Sequence, residues 1–410
     1  MNPTTTIIII TYNSAPQIGA CLAAVTRLVG DYELLVLDNA SGDDSVAQVR
    51  ALAPHARLLV EAENWGFAGG VNRAVAQAQG EHMLLLNPDA LPEPHWAVAL
   101  VEALQAGAGV VGSRVLEPDG RVQSLGSTLD STRMLTAHRT VAPPGDAPFA
   151  VDAVHGAAMG FPKALWQQLG SFDEGFFPAY WEEVDLCRRA AEAGQRVIVV
   201  PQAVVRHAEA SATGKYSAEF YGYYLRNRLR YAVRWLPWNE LWNVFRPAEH
   251  ARLASAPLLD RRVAATVYDH GVPTLGPPDE ITRTTVRAFG AALRAGTLPA
   301  DSYSAVLAQL ADAERNAVHS ETVFRSRFGA LARVRTAWNG VATRWYVRPN
   351  FDQQTRYNLA TQRALTIFIE QEAARAAARA LDVALLEWRA GFGGATPEKQ
   401  PLSIRWGSGN

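Results

Sequence analysis

Short apolar runs recur along the first part of the chain, each followed by a longer stretch in which apolar positions return every three or four residues. Ile7 to Ile10, Leu34 to Leu37, Arg57 to Glu61 and Met83 to Leu86 predict four strands, with helices starting near Gln17, Ser45 and Gly70 between them. Strands alternating with helices predict an α/β fold on a mainly parallel sheet, because a parallel pair needs a long crossover and a helix supplies it. Each strand ends in polar or glycine-containing residues: Thr11-Tyr12-Asn13, Asp38-Asn39, Asn64-Trp65-Gly66 and Asn87-Pro88-Asp89. In open α/β sheets ligands collect beyond the carboxyl ends of the strands, so these four loops are expected to converge on one crevice. Singly, each also reads as a plain turn.

Beyond Pro237 the strand pattern stops and helical spacing takes over, interrupted at Pro273 to Pro278. An alanine-rich stretch runs from about Asn358 to Arg389. Its Leu365, Ile369, Ala373, Ala376, Ala380 and Val383 return at three- and four-residue spacing, with Glu372, Arg375, Arg379 and Asp382 on a charged face. That predicts an amphipathic helix, packed on its own domain or, as the alternative, joining two copies into a homo-oligomer. Gly391-Phe392-Gly393-Gly394 reads as its C-terminal cap. The expected division is a domain over 1–237 and a mostly helical region over 238–410 without an assignable role.

Composition narrows the class. With 48% apolar residues in 410, the chain can bury a large core. Its 39 basic and 40 acidic residues give a net charge of -1, so no overall field favours nucleic acid. The two cysteines, Cys21 and Cys187, lack partners at zinc-ligand spacing and suit a reducing cytoplasm. Ile7 to Ile10 is too short for a signal peptide core and has no basic leader, and no run of ~18 apolar residues could span a bilayer. A cytoplasmic protein is expected, with any membrane contact peripheral and at the inner face of the cytoplasmic membrane. Such contact would fall at Tyr221 to Trp238, where Arg226, Arg228, Arg230 and Arg234 lie among aromatic residues. The plainer reading of that stretch is an aromatic helix packed on the rest of the protein.

Chemistry-bearing residues sit on this frame. Asp38 is placed to hydrogen-bond a base or ribose, as an acidic residue there does in other nucleotide-binding sheets. Asn64 to Gly70, followed by Asn72, combines glycines that permit close backbone approach with a helix start whose N–H groups can face a phosphate or sugar. Neither the dinucleotide fingerprint nor the P-loop pattern is present. Asp89 stands where a hard cation bridging two phosphates needs an oxygen ligand. Because Mg2+ or Mn2+ takes few protein ligands, one carboxylate and one imidazole suffice, and His207 is the candidate imidazole, a structural histidine being the alternative. The densest group is Asp173-Glu174 followed by Trp181-Glu182-Glu183-Val184-Asp185, with five carboxylates in thirteen residues interleaved with aromatics. Carboxyls packed among rings have raised proton affinity, and one could accept a proton from a sugar hydroxyl. A helix N-terminus rich in acidic residues explains the same pattern without chemistry.

Taken as an ordered series, Thr5 to about Pro237 resembles a family 2 glycosyltransferase of GT-A fold, in particular the bacterial rhamnosyltransferase-like and galactofuranosyltransferase-like branch. The resemblance implies a donor site over Thr11, Tyr12, Asn13, Asp38, Asn39, Asn64, Gly66, Phe67, Gly70, Asn72, Asn87 and Asp89. Asn87-Pro88-Asp89 stands where the D-x-D motif does, and Asp89 with His207 would hold Mg2+ or Mn2+. Gly156 and Ala157, with Trp181 and Glu182, would line the acceptor side, and Glu183 would be the catalytic base. Two departures matter. Asn87 replaces the first acidic residue of D-x-D, and Glu183 is one methylene longer than the family's common Asp, which leaves Glu182 and Asp185 as alternative bases. The implied reaction is a single in-line, inverting displacement that moves rhamnose or a similar hexose from a nucleoside-diphosphate sugar to a saccharide or lipid-linked saccharide acceptor in bacterial surface polysaccharide synthesis. Two other classes compete. A nucleotidyltransferase should show a glycine-rich, basic phosphate loop after its first strand, and Thr11-Tyr12-Asn13-Ser14 is neither. A non-catalytic glycan-binding scaffold need not keep Asp89, Glu183, Asp185 and His207 together.

Overall fold

The computed structural model describes residues 4–208, 217–274, 279–295, 311 and 348–392. The chain opens with β1 (Thr5–Thr11), α1 (Ala15–Val25), β2 (Glu33–Asp38), α2 (Ser45–Leu52), β3 (Arg57–Val60), α3 (Gly66–Gln77) and β4 (His82–Leu86). These four strands are parallel, in the order β3-β2-β1-β4. The uninterrupted apolar run of β1 has a physical cause: Ile7 and Ile9 pack under α1, while Ile8 and Ile10 pack under α3, so both faces of the strand are covered. Each such isoleucine contributes about 1.5–3 kcal/mol by its burial.

The sheet continues through β5 (Ala90–Pro92), α4 (Trp96–Gln105), β6 (Val110–Leu116), β7 (Val122–Ser124), β8 (Ser127–Asp130), β9 (Leu135–His138), β10 (Phe149–Ala150) and β11 (Ala158–Pro162). α5 (Lys163–Leu169), α6 (Glu182–Glu192) and β12 (Val197–His207) follow. β11 lies antiparallel between β4 and β6, which makes the sheet mixed. β8 and β9 form a separate hairpin. Val197 to Val200 and the Val204-Val205 run belong to one strand, whose register on β6 shifts between Val200 and Val204. Pro201 lies in that irregularity, where a missing N–H is tolerated.

α3 begins at Gly66, not near Gly70, so Gly69 and Gly70, expected in a loop, are already helical. A Cβ on Gly70 would meet Ile10 Cγ2 at 3.0 Å, so this glycine lets α3 press against β1.

Beyond β12 come α7 (Ala218–Trp235), α8 (Arg246–Ser255), α9 (Leu258–Thr274), α10 (Glu280–Arg294) and α11 (Arg348–Phe392). Their apolar residues, among them Leu229, Phe245, Val263 and Leu381, join the same core as Ile8 and Met83 of the sheet. α9 runs through Pro273; residues 275–278 lie outside the described residues. α11 packs along α9 through Ile369, Ala373, Ala377, Leu381 and Leu385, a strict four-residue ridge. The expected face stepped off this ridge at Ala376 and Ala380, and Leu365 and Val383 are 44% and 52% exposed. Gly393 and Gly394 of the expected cap fall outside the described residues.

The arginines of α7 point inward. Arg226 and Arg228 are fully buried, and Arg230 and Arg234 pair with Asp173 at 3.0 and 2.7 Å. The helix packs on the rest of the protein, but its arginines lie neither on solvent nor free for a diphosphate, being buried or paired with Asp173. Among the described residues no helix is long and apolar enough to cross a membrane.

Candidate active site

Strand pairing brings the first two residues together. β5 runs antiparallel to the end of β12 with His207 opposite Ala90, so Asp89, one residue before β5, meets the imidazole. His207 Nε2 is 3.3 Å from Asp89 Oδ1, and both side chains are buried. The other ring nitrogen, Nδ1, lies 3.1 Å from Gln123 Oε1, a carbonyl oxygen that only accepts. Nδ1 therefore donates to that oxygen, which leaves Nε2 as the ring nitrogen turned to Asp89. His155 sits edge-on to His207 with ring centroids 5.4 Å apart and stacks on His138 at 5.2 Å. Burial, then the neighbouring His207 and His138, hold the His155 pKa well below its ordinary value, so this ring is neutral.

Asp89 and His207 open onto a cavity of ≈ 310 Å³, which Asn87, Phe67, Gly156, Ala157, Trp181, Glu182 and Glu183 also line. The backbone explains the meeting: Asn87 N–H donates to Ala157 O at 2.8 Å and ties the end of β4 to the start of β11. Tyr180 and Trp181, both at φ 80, turn the chain sharply into α6. Bulky residues adopt that conformation at a cost, which the packing around them must offset. Trp181 Nε1 and Glu182 Oε2 are buried without a hydrogen-bond partner among the described residues.

Burial raises the Glu183 carboxyl to about 7. Burial, then the charge of Glu183, raises Glu182 well above the carboxylate range. Both carboxyls line the cavity, although neighbours on a helix diverge by about 100°. The cavity wraps the first turn of α6, so two consecutive residues of that turn reach it. Asp185 is a different case. It is fully buried, accepts from Arg189 Nε at 2.8 Å and Trp235 Nε1 at 2.9 Å, and pairs with Arg234 at 3.2 Å. Both its oxygens are engaged by these groups, and it does not line the cavity. A Cβ on Gly156 would lie 3.5 Å from Glu183 Cγ and Cδ, so even alanine would touch this side chain.

The residues expected for a nucleotide gather at the ends of β1 and β2. Thr11 and Asp38 are neighbours in register, and Thr11 Oγ1 and Asp38 Oδ1 are buried with no hydrogen-bond partner among the described residues. Two adjacent unsatisfied oxygens leave sites for ligand donors. Tyr12 is 45% exposed at the rim. Several other expected contacts are engaged in holding the loops instead. Asn13 Oδ1 accepts from Gly42 N at 2.8 Å. Asn39 spans Trp65 N and Gly66 O at 2.9 and 2.8 Å, and Asn64 Oδ1 accepts from Gly66 N at 2.8 Å. Asn72 joins the backbone of Phe172 and the carboxylate of Glu174. At the N-terminus of α3, Phe67 N–H donates to Pro178 O at 2.7 Å.

Sequence reasoning missed Gln123, Thr136, His138, His155, Tyr180, Phe220 and Tyr224, which the structure brings to the same cavity or directly behind it. Most come from the β8–β9 hairpin and from α7, whose long-range placement no local pattern reports. His155 alone carried a signal, standing directly before Gly156-Ala157.

Residues 6–166 match the family model described as glycosyl transferase family 2. The chain is 28% identical over 240 residues to the N-acetylglucosaminyl-diphospho-decaprenol L-rhamnosyltransferase of Mycobacterium tuberculosis, covering 51% of this chain and 77% of that protein. It is 27% identical over 193 residues to a low-salt glycan biosynthesis hexosyltransferase of Haloferax volcanii, covering 45% of this chain and 60% of that one. Among solved structures, GalNAc-T7 with UDP, GalNAc and Mn2+ superposes with a TM-score of 0.50 at 14% identity, over 71% of this chain. This chain spans about half of that structure, 55% of its length. At such identity the likeness is one of fold, and the fold is GT-A.

Proposed function

We propose, from the premise that residues 6–166 are a glycosyl transferase family 2 domain, that this chain moves a hexose from a nucleoside-diphosphate donor to a lipid-linked or free saccharide with inversion at the anomeric carbon. One observation carries the reading: Asp89 with His207 and Glu183 with Glu182 line a single cavity, and the unsatisfied oxygens of Thr11 and Asp38 lie at the neighbouring strand ends.

The Asp89-His207 pair fits a divalent cation. Two adjacent ligands of an octahedral Mg2+ or Mn2+ stand about 3 Å apart, close to the 3.3 Å between Asp89 Oδ1 and His207 Nε2. Gln123 fixes the tautomer that presents a lone pair. A cation held there would take up the charge that grows on the departing diphosphate. The rest is done by the chain. Glu183, ionising at about 7, accepts the proton of the acceptor hydroxyl, whose oxygen then bonds to the anomeric carbon opposite the leaving group. Burial and the neighbouring Glu183 charge favour the neutral form of Glu182, which limits the negative charge facing the incoming hydroxyl. Thr11 and Asp38 hydrogen-bond the nucleoside, and the exposed ring of Tyr12 stacks at the rim.

The names of the relatives support rhamnose or a related hexose as the donor sugar and a lipid-linked N-acetylglucosaminyl diphosphate as an acceptor. The test is release of nucleoside diphosphate from a panel of dTDP-, UDP- and GDP-sugars with Mn2+ or Mg2+, with and without a polyprenyl-linked acceptor. Acceptor-stimulated release from one donor supports the reading; no release from any donor refutes it.

A further inference from the structure

α10 crosses α7 closely at two glycines. A Cβ on Gly222 would come within 2.2 Å of Leu293 Cδ1, and one on Gly290 within 1.7 Å of the Tyr223 hydroxyl. The crossing aims the earlier turns of α10 at two loops that lie far upstream in the chain. Arg287 donates to Asn64 O, and its guanidinium lies 5.2 Å from the ring centroid of Phe177. One turn before it, Arg283 lies 4.4 Å from the ring centroid of Trp65, which Arg73 also covers at 3.5 Å. Val286, between them, is buried with Phe177 and Tyr223.

Asn64 and Trp65 form the turn into α3 on the donor side. Phe177 leads into the strained segment that presents Trp181, Glu182 and Glu183. One side chain, Arg287, thus touches both halves of the site. The two halves already meet directly through Phe67 N–H and Pro178 O. A Cβ on Gly66 would be only 2.7 Å from that same Pro178 oxygen, so the junction leaves little room for adjustment.

We propose that α10 is a clamp: Arg287, with Arg283 beside it, holds the donor turn and the acceptor-side loop in register, so that nucleotide binding and the placement of the carboxylates are linked. Arg287 is a positioning residue acting through Asn64 and Phe177. The nature of the ligand rests on the proposed function; the clamp itself does not.

Hydrogen exchange on the full chain tests it without ligand. Arg287→Ala should speed exchange at both 64–67 and 177–183, with the apparent Tm little changed. Acceleration confined to 280–294, or none, overturns the clamp. Titration with dTDP or UDP in the presence of Mn2+ adds a second readout, in which losing one part-buried, charge-assisted hydrogen bond should weaken nucleotide binding about 10-fold. Unchanged affinity overturns the link to binding. Should Arg287→Ala not fold, Arg287→Lys keeps the charge but loses the flat contact on Phe177 and should show the same two effects at smaller size. If the wild type binds no nucleoside diphosphate, the proposed function fails, and the exchange pattern alone decides the clamp.

Discussion

Glu183→Gln should abolish transfer and at the same time make the protein more stable, and the two effects have one cause. Burial raises the Glu183 carboxyl from the ordinary 4.5 to about 7. A group perturbed to that extent costs the folded chain about 3 kcal/mol once it is ionised. The sign follows from the direction. At pH 4.5 and below the carboxyl is largely neutral in the folded chain, and the cost is small. As pH rises the unfolded chain loses its proton first, stability falls, and the full cost is reached above pH 7. Glutamine keeps the shape and removes the charge. Relative to wild type, the variant should therefore gain little in urea unfolding at pH 5 and about 2–3 kcal/mol at pH 8. Transfer should fall about 10²–10⁴-fold while Mn2+-nucleotide affinity is unchanged. The wild-type rate should rise with pH through an inflection near 7, where the carboxyl becomes a base. A stability gain equal at pH 5 and pH 8, or a Glu183→Gln enzyme turning over near the wild-type rate, refutes the assignment. If Glu182→Gln alone is inactive, the base is Glu182.

Asp89→Ala and His207→Ala should each lose metal-dependent nucleotide binding while the fold survives, as read by titration with Mn2+-nucleotide and by circular dichroism; EDTA should silence the wild type. Glu249→Ala should cost about 3–5 kcal/mol in denaturant unfolding, because it strands Arg228, which is 1% exposed and sits 2.7 Å from Glu249 Oε2. Acid should withdraw this network's contribution progressively as pH falls from the ordinary carboxyl value of 4.5 through about 2, since the Arg228 and Arg252 charges outweigh burial and hold the Glu249 carboxyl at about 2. Gly66→Ala should weaken nucleotide binding and lower stability by about 1–2 kcal/mol, because Gly66 stands at φ +72 with Pro178 O 2.7 Å from the added Cβ; an unchanged thermal midpoint would contradict that.

The parts of this protein that were legible in its sequence are those where a local pattern and a tertiary role coincide. The runs in β1, β2 and β4 are apolar throughout because both faces are covered, and that alone marks them as central strands. The turns after them are polar because they end at the site. Glu182 and Glu183 were visible for the same reason, being acidic residues among rings. Where one residue type serves two purposes the sequence is silent. Asn13, Asn39, Asn64 and Asn72 look like ligand contacts, yet their amides bind backbone or a neighbouring side chain. Asparagine suits both roles, and only the partner tells them apart. Asp185 looks like Glu183 two residues earlier, but a half-turn of helix carries it into Arg189, Arg234 and Trp235. Tertiary pairing turns one carboxyl away from the cavity and leaves the other lining it.

The same logic applies to the cationic residues of α7 and α10. A run of arginines among aromatics suggests a surface for anions, and in α7 each of those arginines is instead spent inside the protein. Arg226 donates to Gly175 O and Phe177 O, and Asn227 donates to Phe176 O, Ala179 O and Tyr180 O. Those five carbonyls belong to the segment that ends in Trp181 at φ 80. A loop with so little regular structure has no ladder of its own to satisfy its backbone, and buried carbonyls must find donors elsewhere. Arginine and asparagine, each with more than one donor, satisfy several at once. The basic character of α7 is therefore the counterpart of the irregular loop before α6: the strain that aims Glu182 and Glu183 into the cavity is held in place by donors from a helix forty to fifty residues further along the chain.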